Sequence, residues 1–190
     1  MLGRAETLLT RLPADQPLRG AEVGVARGAM SAALLCARPR LHLLLVDSWL
    51  PLTAQPVTYR ETGDRFARLS VGEQAANRAA AAAATAFASA RREILAMPSV
   101  EAAACVPTTS LDFVFLDGDH SEPGVAADLA AWAPRVRAGG WLGGHDYLHT
   151  AAYPFGVIAA VTAAAAHAGW QIETDRDHTW FVRLGLHGRS

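Results

Sequence analysis

The chain has 190 residues, of which 51% are hydrophobic and 18% charged, with a formal net charge of -1. That size fits one domain with a substantial core, and that balance gives neither nucleic acid nor an anionic membrane an electrostatic reason to bind. No apolar run approaches the roughly 18 residues that span a bilayer. The opening MLGRAETLLTRLPADQP carries charges where a signal peptide needs an apolar core, so a cytoplasmic location is expected. The two cysteines, Cys36 and Cys105, lack metal-type spacing and read as buried free thiols.

In chain order, residues 3–12 predict a short leading helix stopped by Pro13. Arg19 to Val25 reads as the first strand, with a helix from Gly28 to Ala37. Leu41 to Val46 is an apolar strand ending at Asp47. Residues 48–70 show no sustained period and exceed an ordinary connection, which predicts a lid or specificity loop. Residues 71–91 are alanine-rich and helical by propensity. Glu93 to Met97 predicts a short strand, and Val100 to Cys105 a short helix.

Next come two apolar runs with polar ends. Phe113 to Leu116 ends in Asp117-Gly118-Asp119-His120, and Trp141 to Gly144 ends in His145-Asp146-Tyr147. A helix predicted over 123–136, closed by Gly139-Gly140, separates them. Strand, helix, strand implies a right-handed crossover, so both polar ends fall on one carboxyl-terminal sheet edge. Open α/β sheets bind ligands at that edge. A last helix over 156–168 and strands over 170–174 and 179–184 complete about seven strands with an antiparallel ending. No internal repeat is visible, and 1–190 reads as a single α/β domain.

The stretch Glu22-Val-Gly24-Val-Ala-Arg-Gly28 is a strand-to-helix turn of the form E-x-G-x-x-x-G. It reads either as a tight packing turn or as a close backbone approach to a ligand. Asp47 reads either as a helix cap or as a carboxylate accepting two hydrogen bonds from a ribose diol. The spacing differs from the G-x-G-x-x-G dinucleotide fingerprint.

Asp117, Asp119, His120, His145 and Asp146 converge if their strands are neighbours. Two carboxylates with water suit Mg²⁺, whereas imidazoles in the cluster suit a transition metal. A histidine there reads as a general base or as a structural, hydrogen-bonded ring. Tyr147 and His149 are expected to face a substrate, while His42, His167, His178 and His187 are given no role.

Glu22 to Gly28, Val46-Asp47, and Leu111 to Tyr147 together resemble the class I S-adenosylmethionine-dependent methyltransferases. The resemblance is to the small-molecule O-methyltransferase-like subgroup with a DGDH…GHDY stretch, and it covers about residues 18–184. The sequence departs from the pattern at Glu122-Pro123, where the family often has Tyr-Glu. The resemblance implies a Rossmann-like, doubly wound, seven-stranded sheet, mostly parallel with an antiparallel carboxyl-terminal hairpin. It also implies transfer of a methyl group to a small-molecule acceptor, at a hydroxyl oxygen.

Carried over, Glu22, Gly24 and Gly28 line the methionine and ribose, Asp47 binds the ribose hydroxyls, and Ser48 and Trp49 lie near the adenine. Where the family often has Gly-Asp-Ser, this chain has Met97-Pro98-Ser99, leaving adenine contact to Met97 and Ser99. Asp117 sits at the cofactor. Either it joins Asp146 and His145 in holding Mg²⁺ or another divalent cation that activates the acceptor, or it orders the turn without a metal and the base is His145 or His120; the catalytic set is His145, His120 and Asp117. A homodimer is among the assemblies such a chain can form. Two other readings stay open: a non-catalytic binding or assembly protein on the same fold, and a nicotinamide dehydrogenase. The dehydrogenase requires the absent G-x-G-x-x-G turn and an all-parallel ending.

Overall fold

A computed structural model describes residues 3–175 and 177–185. Its strands are β1 (Leu18–Val23), β2 (Leu41–Val46), β3 (Arg92–Leu95), β4 (Leu111–Leu116), β5 (Val136–Gly144), β6 (Ile172–Thr174) and β7 (Trp180–Arg183). They form one seven-stranded sheet in the order β3-β2-β1-β4-β5-β7-β6. Pairings from β3 through β5 are parallel, and β7 pairs antiparallel with both β5 and β6. This is the Rossmann-like, doubly wound arrangement with an antiparallel end. The order reverses between β1 and β4, which opens a crevice at their carboxyl ends.

Seven α-helices accompany these strands among the described residues: α1 (Arg4–Leu9), α2 (Ala29–Ala37), α3 (Val57–Glu61), α4 (Val71–Ala84), α5 (Ser99–Ala104), α6 (Glu122–Trp132) and α7 (Val157–Ala168). Strand β4, with sequence LDFVFL, shows why the sheet is covered on both faces. Phe113 and Phe115 point into one core with Leu8, Leu34, Leu35 and Ala81. Val114 and Leu116 alternate into the other, with Ala102, Leu129, Trp132 and Val161. No helix among the described residues is long and apolar enough to cross a membrane.

Three local expectations are corrected. Residues 48–70 are not without structure: they hold α3 and two 3-10 turns, Leu52–Ala54 and Arg65–Arg68. The helix expected to run to Val136 ends at Trp132, and Gly139-Gly140 lie inside β5. The pairing of β4 with β5 shifts register between Leu111 and Phe113 to accommodate them. Cys36 and Cys105 are free but exposed, because their neighbours Leu34, Leu35, Ala102 and Ala103 take the inward positions.

Helix α6 sets the angle of the site. Ser121 caps it, its Oγ accepting the Gly124 N–H at 3.2 Å, and Pro123 occupies the first turn, where no N–H is needed. The DGDH turn is thereby held between β4 and a fixed helix start.

Candidate active site

A cavity of about 990 Å³ opens at the carboxyl ends of β1, β2 and β4. Its first half is built on the glycine turn. Gly24 has φ of +90°, and a Cβ there would collide with the Asp117 backbone carbonyl. Only glycine lets the end of β1 lie against the end of β4. Gly24 and Glu22 line the cavity. Gly28 does not: a Cβ on it would come within 2.9 Å of the Ala81 Cα, so it serves the packing of α2 on α4.

Asp47 ties the turn to β2. Its Oδ2 accepts the Ala26 N–H at 2.8 Å and its Oδ1 accepts the Trp49 N–H at 2.8 Å. Burial pushes its pKa up, opposed by these backbone donors. Each oxygen keeps lone-pair capacity for a further donor in the cavity. Glu22 is 2% exposed and accepts the Ser31 hydroxyl. Burial, opposed by that bond, pushes it up to about 8, so the carboxyl holds its proton at neutrality.

The other residues expected at the cofactor divide. Ser48 and Ser99 line the cavity, and Ser99 Oγ accepts the Trp132 indole N–H at 2.8 Å. Trp49 and Met97 are not on the wall. The Trp49 indole donates to the Ala26 carbonyl at 2.9 Å and packs into the α2–α4 core, and Met97 packs against the opposite core. Sequence reasoning missed Asp128, a buried acid on α6 that faces the cavity beside Ser99. Burial, opposed by a hydrogen bond from Ser99, pushes its pKa up to about 7. Its signal was an acid within the otherwise apolar run from Val125 to Trp132.

The second half of the cavity gathers Asp117, His120 and Asp146. One potential ligand atom from each lies within 4.8 Å of the others. His120 Nε2 is 3.2 Å from Asp146 Oδ2 and 3.6 Å from Asp117 Oδ1. His120 Nδ1 is 2.9 Å from Asp64 Oδ2, which also accepts the Tyr59 hydroxyl at 2.9 Å. Arg4, from α1, pairs with Asp117. Asp146 has φ of +55°, a strained backbone held between β5 and the following turn.

Burial opposes charge on His120, but the neighbouring carboxylates of Asp117, Asp64 and Asp146 prevail and raise its pKa to about 10. Asp64 and Asp146 are held below the usual carboxylate range. Burial works against this in both, and His120 overcomes it for Asp64, His145 and His120 for Asp146.

The expectation that His145 belongs with the cavity ligands meets a different placement. Its Nδ1 is 3.1 Å from Asp146 Oδ1 but 3.9 Å from Asp117 Oδ1. His145 is absent from the wall of the large cavity and lines a small adjoining space that it shares with His120, Asp119 and Asp128, beside Trp180 and Val157. Tyr147 and His149 also leave the wall: the Tyr147 hydroxyl is 3.3 Å from Thr162 Oγ1, and His149 Nδ1 is 2.9 Å from the Phe155 carbonyl oxygen. Leu148, Tyr153 and Phe155 line the cavity instead. Arg4 and Asp64 carried no signal of their own, being far from the motif in sequence, whereas Tyr59 stood out as an aromatic within the expected lid of residues 48–70. His187 lies outside the described residues.

The sheet order, the glycine turn and the cavity at the switch point define the class I methyltransferase fold. The chain belongs to a methyltransferase-domain family, whose model matches residues 21–147. No curated protein sequence matches the chain. Among solved structures, the calicheamicin methyltransferase CalS11 is 19% identical, with 95% of this chain and 77% of that chain covered and a TM-score of 0.66. A protein from Corynebacterium glutamicum is 14% identical over 90% of this chain and 74% of its own, with a TM-score of 0.65. Cofactor-bound Rv0187 from MTB is 13% identical over 97% of this chain and 82% of its own, with a TM-score of 0.62. At these identities the likeness is one of fold. Family membership removes the nicotinamide dehydrogenase reading.

Proposed function

We propose that the chain transfers the methyl group of S-adenosylmethionine to a hydroxyl oxygen of a small-molecule acceptor, assisted by a divalent cation. The observation that carries this reading is that one cavity holds both halves of the site. The glycine turn, Asp47 and Ser99 form one end, and Asp117, His120 and Asp146 form the other. Its volume lies at the upper end of the range for small-molecule sites, which leaves room for a nucleoside cofactor and an acceptor together.

S-adenosylmethionine, when bound, supplies an electrophilic methyl group on a sulfonium. The chain's own residues then align and exclude water. Asp47 accepts the ribose hydroxyls with its remaining lone pairs, and Ser99 and Asp128 face the base. Phe66, Tyr153 and Phe155 line the cavity and offer the acceptor apolar wall.

The donor set fits a cation, because carboxylate oxygens of Asp117 and Asp146 and a buried imidazole nitrogen face one another. A cation held there would lower the pKa of a coordinated hydroxyl. His120 already holds its proton below about pH 10, so it is not a free base in the absence of such a cation. The acceptor proton would leave to a carboxylate oxygen of Asp117 or Asp146, or to water, because the His120 nitrogen is not free to take it.

The test is formation of S-adenosylhomocysteine from S-adenosylmethionine over a panel of hydroxylated small molecules, with and without EDTA. The reading expects product that depends on an acceptor, is lost in EDTA, and returns with added divalent metal. Full turnover in EDTA would remove the cation from the account. Cofactor binding without turnover on any acceptor would instead support a non-catalytic binding protein.

A further inference from the structure

We propose that His120, not His145, is the nitrogen ligand of this cation site, and that the site takes a first-row transition ion in preference to Mg²⁺. The proposal rests on the cation-assisted reading above.

The first observation is an orphan. His120 is 7% exposed, and among the described residues its Nε2 has no hydrogen-bond partner. Carboxylate oxygens of Asp146 and Asp117 lie at 3.2 and 3.6 Å, but none is aligned to accept from the ring. A buried polar atom without a partner is costly, and one aimed between two carboxylates on a cavity wall is placed as a ligand. His145 Nδ1 is also unpartnered, but it stands 3.9 Å from Asp117 Oδ1, and His145 does not line the large cavity, whereas His120 does.

The second observation is what holds the far side of the ring. Nδ1 of His120 meets Asp64 Oδ2 at 2.9 Å. Asp64 is itself fixed three ways: Oδ2 accepts the Tyr59 hydroxyl, Oδ1 accepts the Phe66 N–H at 2.9 Å, and its own N–H donates to Thr62 Oγ1 at 3.3 Å. A carboxylate behind a metal-binding imidazole sets its tautomer and orientation, placing the lone pair on the nitrogen that faces the ion. The Phe155 ring, with its centroid 4.7 Å from that of the imidazole, packs on the same group. Asp64 is thus a positioning residue, contributed by the segment between β2 and α4.

The third point is chemical. Mg²⁺ favours hard oxygen donors and keeps its waters, whereas an imidazole with two carboxylates suits Mn²⁺, Fe²⁺, Co²⁺ or Zn²⁺. Replacing one oxygen ligand by a preoriented nitrogen shifts the preference towards these ions.

The experiment uses the full chain and Mn²⁺, with neither methyl donor nor acceptor present, so its outcome is independent of methyl transfer. Mn²⁺ affinity is read by electron paramagnetic resonance, and directly bound nitrogen by electron spin-echo modulation. The proposal expects nitrogen modulation in the wild type, its loss in His120→Gln, and its retention in His145→Gln. Asp64→Asn keeps all three ligands and should weaken Mn²⁺ binding about 10–100-fold. It carries the test even if His120→Gln fails to fold. Mg²⁺ should displace Mn²⁺ only in large excess. Absence of Mn²⁺ binding, modulation that persists without His120, unchanged affinity in Asp64→Asn, or displacement by Mg²⁺ at parity would each overturn the proposal. Tight Mn²⁺ binding in a chain that transfers no methyl group would sink the proposed reaction and leave the ion site standing.

Discussion

Glu22 is the residue where burial and function pull in opposite directions. Folding moves its carboxyl from an ordinary value near 4.5 to about 8, chiefly by burial. Between those values the unfolded chain has released a proton that the folded chain keeps. Stability contributed at this site is therefore present below pH 4.5 and lost progressively as pH rises towards 8. Glu22→Gln removes the titration while keeping an acceptor for Ser31. Urea unfolding should find the variant more stable than wild type at pH 8, by on the order of 1–3 kcal/mol, with the difference shrinking towards pH 5. Parallel stability curves across that range would contradict the assignment.

The expected site residues that reach the cavity wall include those that sit at a strand end. Asp47, Asp117 and Asp146 fall on the cavity wall because they follow β2, β4 and β5 at one sheet edge. Trp49 and Met97 are absent from that wall because each packs against a core, a choice that packing makes and spacing does not reveal. Gly24 was read as a place where backbone meets cofactor. Its demand is also internal, since a Cβ there meets the Asp117 carbonyl. A bulkier residue at position 24 would disturb the fold itself and cannot report cofactor contact alone.

At the scale of elements, the segment between β2 and α4 departs most from expectation. Its α3 spans five residues and its two 3-10 turns three and four. Such short pieces offer too few positions for an apolar stripe, so no period could show them. What orders them is tertiary: Tyr59 is buried with its hydroxyl on Asp64, and Asp64 meets His120 of the turn after β4. Tyr59→Phe deletes one donor to a buried carboxylate. Thermal unfolding should show a loss of about 1–2 kcal/mol, and no loss would mean that this bond does not hold the segment. The segment also lines the cavity through Gln55, Tyr59, Asp64 and Phe66. Binding of S-adenosylhomocysteine should therefore slow hydrogen exchange and proteolysis across 50–68. Protection confined to residues 22–28 and Asp47 would reject its role as a lid.

At the scale of the whole molecule, the seven strands, their mostly parallel pairing and the antiparallel end were legible in the sequence. Strands such as LHLLLV and LDFVFL are apolar on both faces, which suits a sheet covered twice, and short polar turns separate them from helices. The DGDH and GHDY stretches marked the right edge of the sheet. What stayed hidden was how distant pieces converge on that edge. Arg4 reaches Asp117 from the first helix, and Asp64 reaches His120 from the segment after β2. No local pattern encodes such meetings; they follow from the strand order, which brings the ends of β1, β2 and β4 together.

The claim on which the account depends is that this cavity binds S-adenosylmethionine through the carboxyl end of β2. Calorimetric titration of the wild type and of Asp47→Ala with S-adenosylmethionine, using NADH as control ligand, tests it most directly. The account predicts one site per chain for S-adenosylmethionine and no binding of NADH. It also predicts weakening on the order of 2–3 kcal/mol in the folded Asp47→Ala variant, through loss of charge-assisted bonds to the ribose and to the turn. Equal affinity in the two proteins, or binding of NADH in place of S-adenosylmethionine, would contradict it.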